Sequence, residues 1–202
     1  MSSGFASAYY SIWSEGFNSR QVIGMEITYT TSQSPLGTLL VATSTKGVCM
    51  IATGKSVADV ERRLFDTFPA ALITRADSRL ASLRKTVENR IAGRDLDAKI
   101  PLDLQGTPFQ LSVWKEMLRI PPGKTRSYAD VARNIGRPKA FRAVAQACGA
   151  NPVPIVVPCH RVVASGGKLG GYTGGIEKKL ALLASEGVEH SRWTSAPPGA
   201  HR

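Results

Sequence analysis

The sequence of 202 residues has few of the residues that build disulfide frameworks, metal sites or membrane spans. Its three cysteines are an odd number, and none of its three histidines falls into ligand spacing with a pair of cysteines. No window approaches the roughly 18 apolar residues of a transmembrane helix. No cofactor-binding motif is present either. We therefore expect no metal, no cofactor and no membrane attachment.

No stretch near the start of the sequence has the pattern of a secretory signal peptide. The first twenty residues contain Glu15 and Arg20 and lack a continuous apolar core. Together with the odd number of cysteines, this favours the reducing cytoplasm. We expect a cytoplasmic monomer.

Acidic residues are scarce compared with basic ones. The chain has 26 Lys and Arg against 15 Asp and Glu, for a net charge of +11. The segment 115–179 alone holds twelve basic and three acidic residues, a net charge of +9. A concentrated basic surface favours a polyanion, and double-stranded DNA is the obvious partner. Charge alone is equally compatible with a solvated basic face.

The first half of the chain has the pattern of a small α/β domain. Runs rich in β-formers, separated by short turns with Gly or Pro, predict an antiparallel sheet over residues 26–31, 38–42 and 48–51. Two amphipathic helices should follow, the first capped by Ser56 and the second spanning 80–91. The apolar face of the first helix would hold Val57, Val60, Leu64 and Phe65.

The second half predicts a helix-turn-helix. An amphipathic helix over 109–118 ends at a Pro-Pro-Gly turn, and Ser127 can cap a short helix that runs to Ile135. Pro138 suits the first position of the next helix, which we expect to extend through 140–149. Any pair of antiparallel helices shows this spacing, so it is a weak signal of DNA binding.

Small residues line one face of that last helix, at Ala143, Ala147 and Ala150. Such a face ordinarily packs closely against another helix in a core. It would also let the backbone enter the minor groove of DNA, whose degenerate code suits a protein that is indifferent to sequence.

The run Pro158-Cys159-His160-Arg161 follows the apolar stretch 155–157, which predicts a buried strand that carries a nucleophile. A neighbouring histidine can take the thiol proton and produce a reactive thiolate. The ordinary alternative is a buried cysteine that acts as a small apolar residue. Adjacent side chains on a strand also point to opposite faces and need not touch.

Five motifs in order decide between these alternatives. They are Ser-Tyr-Ala-Asp-Val-Ala (127–132), Pro-Lys-Ala-Phe-Arg-Ala-Val (138–144), Asn-Pro (151–152), Pro-Cys-His-Arg-Val (158–162) and Gly-Gly-Tyr-Thr-Gly-Gly (170–175). Together they resemble the O6-alkylguanine-DNA alkyltransferases. The resemblance covers about 106–188 and continues more weakly back to Met25.

The resemblance implies an α/β fold of two domains. A small N-terminal α/β domain with an antiparallel sheet would occupy 25–98. A mainly helical domain with the helix-turn-helix and the active-site cysteine would occupy 99–188. Residues 1–24 would form an arm, which could be partly ordered or the remnant of a fusion, and 189–202 a flexible tail. Some members bind zinc in their N-terminal half or carry a metal-binding methyl acceptor domain, but this chain has the residues for neither.

The resemblance also implies a reaction. Cys159 would accept the alkyl group from O6-alkylguanine, and also from O4-alkylthymine, once per molecule and without a cofactor. A relay of Cys159, water, His160 and Glu186 would activate the thiol. The Tyr128 hydroxyl would face guanine N3 and assist both leaving-group activation and rotation of the phosphate.

Further residues would hold the flipped base. By resemblance, the carbonyls of Cys159 and Val162 accept the exocyclic amine. Thr173, where other members have Ser, presents its backbone N–H to O6. Tyr172 and Gly174 belong to the loop that closes on the base, and Asn151 braces the hinge before the active site.

DNA itself would be bound by the helix-turn-helix. Arg142 would fill the space left by the extruded base, while the small-residue face would approach the groove. The residues that we assign to DNA binding are Arg142, Ala143, Ala147, Arg137, Lys139 and Ser127.

Two other functions are compatible with parts of the sequence. A lesion-binding relative without chemistry would replace the cysteine, usually with Trp, whereas Cys159 is present. A cysteine hydrolase would usually need an oriented histidine distant in sequence, and it would leave the basic helix-turn-helix and Arg142 unexplained.

Overall fold

The computed structural model describes residues 24–166 and 168–189. The expected arm and tail therefore lie outside the described residues, except for Gly24 and Glu189. The strands are β1 (Glu26–Ser34), β2 (Gly37–Thr43), β3 (Val48–Gly54), β4 (Leu72–Arg75), β5 (Arg126–Ser127) and β6 (Val162–Val163). The helices are α1 (Val57–Thr67), α2 (Ala81–Ile91), α3 (Pro108–Met117), α4 (Tyr128–Asn134), α5 (Phe141–Gly149) and α6 (Ile176–Ser185).

A four-stranded sheet in the order β3-β2-β1-β4 forms the N-terminal part. Strands β1, β2 and β3 are antiparallel, as predicted, with Tyr29 opposite Ala42 and Val41 opposite Ile51. Strand β4 was not predicted, and it pairs with β1 in parallel. It has only four residues, three of them exposed, so it lacks the apolar alternation that marks a half-buried strand.

The first helix begins where its cap predicts, because the Ser56 side chain accepts a hydrogen bond from the Asp59 backbone N–H. Val60 and Leu64 are buried. The prediction that Phe65 shares their face is wrong, since its side chain is 48% exposed. Each residue advances about 100° around a helix, so Phe65 lies well away from the stripe that passes through Leu64.

The helical part is assembled around α3. Trp114 on α3 is buried, and its indole N–H donates to the Ala147 carbonyl on α5 at 2.8 Å. Ser127 caps α4, as predicted, with its side chain on the Asp130 backbone N–H. The prediction that α5 starts at Pro138 is wrong, because the helix begins at Phe141 and Pro138 lies in the preceding turn.

The predicted strand before the cysteine is also wrong. Residues 154–156 form a turn, and Ile155 has a φ of 77°, a left-handed value that is costly for a β-branched residue. Prolines at 152, 154 and 158 provide no backbone N–H, so this segment cannot form a regular ladder. The segment is nevertheless buried, because residues 155–157 join the main core.

The sheet supports the segment that leads to the cysteine. One core cluster contains Leu39 and Val41 from β2 together with Trp114, Val157 and Cys159. The backbone N–H of Ile51 on β3 donates to the Pro152 carbonyl at 2.9 Å. The N-terminal part thereby fixes the position of the turn that precedes Cys159.

Candidate active site

Cys159 begins a short 3₁₀ helix, Cys159–Arg161, directly after the buried turn. Its backbone N–H donates to the Val157 carbonyl at 2.9 Å, and its residue surface is 7% exposed. A 3₁₀ helix turns each residue by about 120°, unlike the two-fold alternation of a strand. Cys159 and His160 therefore do not have to project to opposite faces.

The Cys159 thiol is protonated in the folded protein. Burial raises its pKa above the ordinary value of 9.0, because a thiolate loses its hydration there. Four contributions lower the pKa instead: a hydrogen bond from the Asn151 side chain, the charge of Lys179, a hydrogen bond from the Cys159 backbone N–H and a hydrogen bond from the Tyr172 hydroxyl. Burial prevails, so the thiol needs a base that removes its proton.

His160 has the form that such a base requires. Its Nε2 lies 2.9 Å from Glu186 Oε1, and its side chain is 1% exposed. Burial lowers the His160 pKa below 6.5 in spite of the carboxylate, so the imidazole is neutral at pH 7. An ionised carboxylate only accepts hydrogen bonds, so the single ring proton lies on Nε2. The buried Nδ1 has no hydrogen-bond partner among the described residues and keeps its lone pair for a proton.

Glu186 directly follows α6, and its carboxylate is ionised. Burial alone would raise its pKa, but hydrogen bonds from His160 and Arg161 lower the pKa from 4.5 to about 2. Arg161 Nε contacts both carboxylate oxygens at 3.1 and 2.9 Å, and its Nη2 reaches Oε1 at 2.7 Å. Another Arg161 nitrogen donates to the Ile120 carbonyl.

Arg161 was not predicted to be a site residue, although it lies in the Pro-Cys-His-Arg motif. Its bidentate contact holds Glu186 beneath His160, so it is a positioning residue. A signal was available, since an arginine next to a buried Cys-His pair requires a counter-charge in the interior.

Lys179 is the second residue that was missed. Its side chain is wholly buried, and Nζ donates to the carbonyls of Val162, Leu169 and Gly171 at 2.7, 2.7 and 3.3 Å. Burial lowers its pKa from 10.5 to about 8, so it remains charged at pH 7. This ammonium joins the strand after the cysteine to the glycine-rich loop, and it lowers the pKa of the nearby thiol.

The predicted base-binding loop lies beside the cysteine. The Tyr172 hydroxyl is hydrogen-bonded to Cys159, and the Thr173 hydroxyl donates to the Gly149 carbonyl at the end of α5 at 3.0 Å. The Tyr128 hydroxyl reaches the Gly171 carbonyl at 3.4 Å. A Cβ added at Gly174 would come within 2.9 Å of the Tyr172 ring, so a side chain there would displace the tyrosine.

The two carbonyls expected to accept a purine amine already have partners inside the protein. The Cys159 carbonyl accepts the Val162 backbone N–H, and the Val162 carbonyl accepts Lys179. A carbonyl oxygen has two lone pairs, so each retains one acceptor site.

Asn151 braces the turn before the cysteine. Its Oδ1 accepts the Val153 backbone N–H at 3.0 Å, and its Nδ2 donates to the Val157 carbonyl at 2.8 Å. These two bonds span the turn that contains the left-handed Ile155. Asn151 therefore compensates for backbone bonds that the prolines do not make.

The predicted DNA-binding residues divide into surface and core. Arg137, Lys139 and Arg142 are exposed, and Ala143 is half-buried. The assignment of Ala147 to the DNA-binding face needs correction, because Ala147 is 3% exposed and packs in the core. Because Ala147 is small, α3 can pack closely against α5 at this point. The Trp114 indole N–H on α3 donates a hydrogen bond to the Ala147 carbonyl. The Ser127 hydroxyl is engaged with Asp130 Oδ2 at 2.7 Å in the α4 cap.

No group of three or more His, Cys, Asp or Glu side chains in the described ranges could hold a metal ion. Within the same ranges, no helix combines the length and apolar character needed to cross a bilayer.

Comparison with known proteins gives matches over most of the chain. A family model described as 6-O-methylguanine DNA methyltransferase, ribonuclease-like domain, matches residues 27–104. A second, described as 6-O-methylguanine DNA methyltransferase, DNA binding domain, matches residues 108–188.

Two curated relatives and one solved structure illustrate the similarity. The "Bifunctional transcriptional activator/DNA repair enzyme Ada" of Escherichia coli is 40% identical over 83% of this chain, which spans only 48% of that longer protein. The "Methylated-DNA--protein-cysteine methyltransferase" of Mycobacterium tuberculosis is 41% identical over 79% of this chain and 92% of the relative. The crystal structure of Mycobacterium tuberculosis OGT in complex with DNA superposes with a TM-score of 0.65 at 36% identity, covering 83% of this chain and 96% of that one.

Proposed function

The chain belongs to the 6-O-methylguanine DNA methyltransferase family, and from that premise we propose that it repairs DNA by direct reversal of alkylation damage. Cys159 would take the alkyl group from guanine O6, and from O4 of alkylated thymine, in duplex DNA. One observation carries this proposal. A buried cysteine adjoins a neutral histidine whose Nε2 is held by Glu186 and whose Nδ1 is unpartnered among the described residues.

The target base has to leave the duplex before it reacts. The alkyl group lies on a base edge inside the stack, and a buried sulfur cannot approach its carbon in line. The loop with Tyr172, Thr173 and Gly174 would receive the flipped base next to Cys159. Arg142, which is exposed on α5, would fill the gap in the stack.

The chemical step moves one proton and one alkyl group. Cys159 gives its proton through a water molecule to His160 Nδ1, and the imidazolium is stabilised by Glu186. Sulfur then forms a bond to the alkyl carbon while the carbon–oxygen bond breaks, and the electron pair stays on the guanine. A hydrogen bond from the Tyr128 hydroxyl to N3 would stabilise that leaving group.

The thioether ends the reaction. A thioether is a poor leaving group, and the described site offers no second acceptor for the alkyl group. We infer a stoichiometric reaction, with one alkyl group per protein molecule and no cofactor. Residues 99–188 would bind DNA and carry out the transfer, and 25–98 would act as the scaffold.

We propose alkylated duplex DNA as the partner of a monomer that acts in the cytoplasm. All three cysteines are free thiols, which suits a reducing compartment.

Intact-protein mass spectrometry after incubation with O6-methylguanine duplex tests the proposal. We expect the mass of one methyl group per molecule, located on Cys159. Cys159→Ser should abolish the alkyl transfer but keep the affinity for DNA within a few-fold, because contacts of the protein with the DNA phosphate backbone dominate that affinity. Cys49→Ser is the matched control, since Cys49 is a buried thiol in β3. Multiple turnovers, or methylation of another cysteine with Cys159 untouched, would contradict the proposal.

A further inference from the structure

Phe141 is an exposed aromatic residue at the first position of α5. Its side chain is 45% exposed, although α5 has buried Val144, Ala147 and Cys148 on its inner face. A helix advances about 100° per residue, so Phe141 lies on the side of α5 opposite Ala143, apart from the small-residue face predicted from the sequence. A large apolar ring that keeps nearly half of its surface in contact with water is available to a binding partner.

The ring lies against the residue that we propose as the finger. The guanidinium carbon of Arg142 is 5.7 Å from the centroid of the Phe141 ring, within the range of a cation–π contact. The two side chains therefore form one projecting unit, with a flat apolar ring and a cation side by side.

The surroundings of this unit indicate a polyanion as its partner. Arg137 and Lys139 are exposed on the turn just before α5. Phosphates can pair with these charges, whereas a protein partner that covers an aromatic residue would more often present an apolar surface. Duplex DNA supplies both a phosphate backbone and flat apolar bases.

We propose that Phe141 is a second inserting residue, an apolar wedge that stacks on the base next to the extruded nucleotide while Arg142 fills the gap. Apolar side chains that enter a base step unstack it and kink the duplex. Stacking is tolerant of sequence because every base has a π-face. This inference rests on the proposed function, in which the alkylated base is flipped out of the duplex.

The experiment compares Phe141→Ala, Phe141→Trp, Arg142→Ala and Phe65→Ala in the full chain. Phe65 is the matched control, because it is exposed to a similar extent, 48%, on α1 in the N-terminal part. Single-turnover transfer rates are measured at saturating protein on an O6-methylguanine duplex, on the same single strand, and on the free base O6-benzylguanine. A 2-aminopurine next to the lesion reports unstacking by its fluorescence.

We expect Phe141→Ala to slow duplex repair by about 10-fold, the effect of one lost stacking contact. The slower rate should be accompanied by a smaller 2-aminopurine signal, while the free-base rate stays unchanged. Phe141→Trp should retain the transfer rate on the duplex. Phe65→Ala should have the same transfer rates and the same 2-aminopurine signal as the protein without substitutions.

Three results would overturn the inference. Phe141→Ala could match Phe65→Ala on the duplex, it could slow the free-base reaction equally, or it could weaken duplex binding without lowering the rate at saturation. If Arg142→Ala still slowed duplex repair in these cases, only the role of Phe141 would fail. If the protein without substitutions transferred no alkyl group from any of the three substrates, the proposed function itself would fail.

Discussion

Replacing Glu186 by Gln should reveal how much the buried ion cluster contributes. The variant keeps the shape of the side chain but removes the charge that Arg161 and His160 contact. The Glu186 pKa is lowered from 4.5 to about 2, and its side chain is 4% exposed. Each tenfold change in a protonation equilibrium corresponds to about 1.4 kcal/mol, so ionised Glu186 stabilises the fold by roughly 3 kcal/mol.

The pH window follows from the direction of the shift. An acid whose pKa is lowered by folding stabilises the folded protein above its unfolded pKa of 4.5, and this contribution disappears as the pH falls through 2. At pH 7, Glu186→Gln should therefore lower the free energy of unfolding by about 3 kcal/mol, the scale of a broken buried ion pair. The difference in stability between the two proteins should shrink progressively as the pH falls from 4.5 to about 2.

Urea unfolding at a series of pH values measures this difference. Glu177→Gln is the control, because Glu177 is an exposed carboxylate in the first turn of the same helix. It should change stability by less than about 0.5 kcal/mol. A difference between Glu186→Gln and the unchanged protein that stayed constant from pH 7 to pH 3 would refute the assignment of the stabilisation to the ionised carboxylate.

The same variant should also react more slowly. Without the carboxylate, the imidazolium that forms during the reaction loses its counter-charge. The transfer rate to O6-benzylguanine should fall by roughly 10²-fold, the scale of one impaired general base. A rate equal to that of Glu177→Gln would mean that His160 works without Glu186.

Three further variants test other parts of the site. His160→Ala should leave a rate that rises about tenfold per pH unit between 6 and 8, because the buried thiol then depends on hydroxide for ionisation; a pH-independent rate would exclude His160 as the base. Lys179→Met should shift the pH at which iodoacetamide alkylates Cys159 to a higher value, because a cation near the thiol is lost. Lys178→Met is the control and should not shift this pH, because the Lys178 ammonium donates to Thr53 Oγ1 at 2.8 Å. Trp114→Phe should lower the free energy of unfolding by about 1–3 kcal/mol, because the Ala147 carbonyl loses its buried donor; calorimetry that shows no loss would contradict this.

The sequence predicted those elements whose signals are local. Ser56 and Ser127 each cap a helix with their own side chain, so the residue type identifies the helix start. Runs rich in β-formers between short Gly or Pro turns predicted the three antiparallel strands, because this composition is also a local property of the chain. Strand β4 was missed because its pairing with β1 comes from a distant part of the chain.

The residues of the candidate site also fall into two groups, those predicted from local motifs and those that only the structure revealed. The order of the motifs identified the cysteine, the histidine and the glycine-rich loop, because each motif is contiguous. Arg161 and Lys179 were missed, since their roles come from Glu186, 25 residues away, and from three backbone carbonyls. Ala147 was placed on the wrong surface, because a small residue suits a DNA groove and a close helix contact equally well.

By itself, the sequence determined the family, the cysteine that we propose as the nucleophile and the basic character of the helix-turn-helix, since these depend on residue identity and order. Only the tertiary structure decided the protonation states. Burial keeps the Cys159 thiol protonated and the His160 imidazole neutral, while hydrogen bonds from His160 and Arg161 keep Glu186 ionised. These pKa values depend on desolvation and on charges brought together by folding, and neither quantity is encoded in any local stretch of residues.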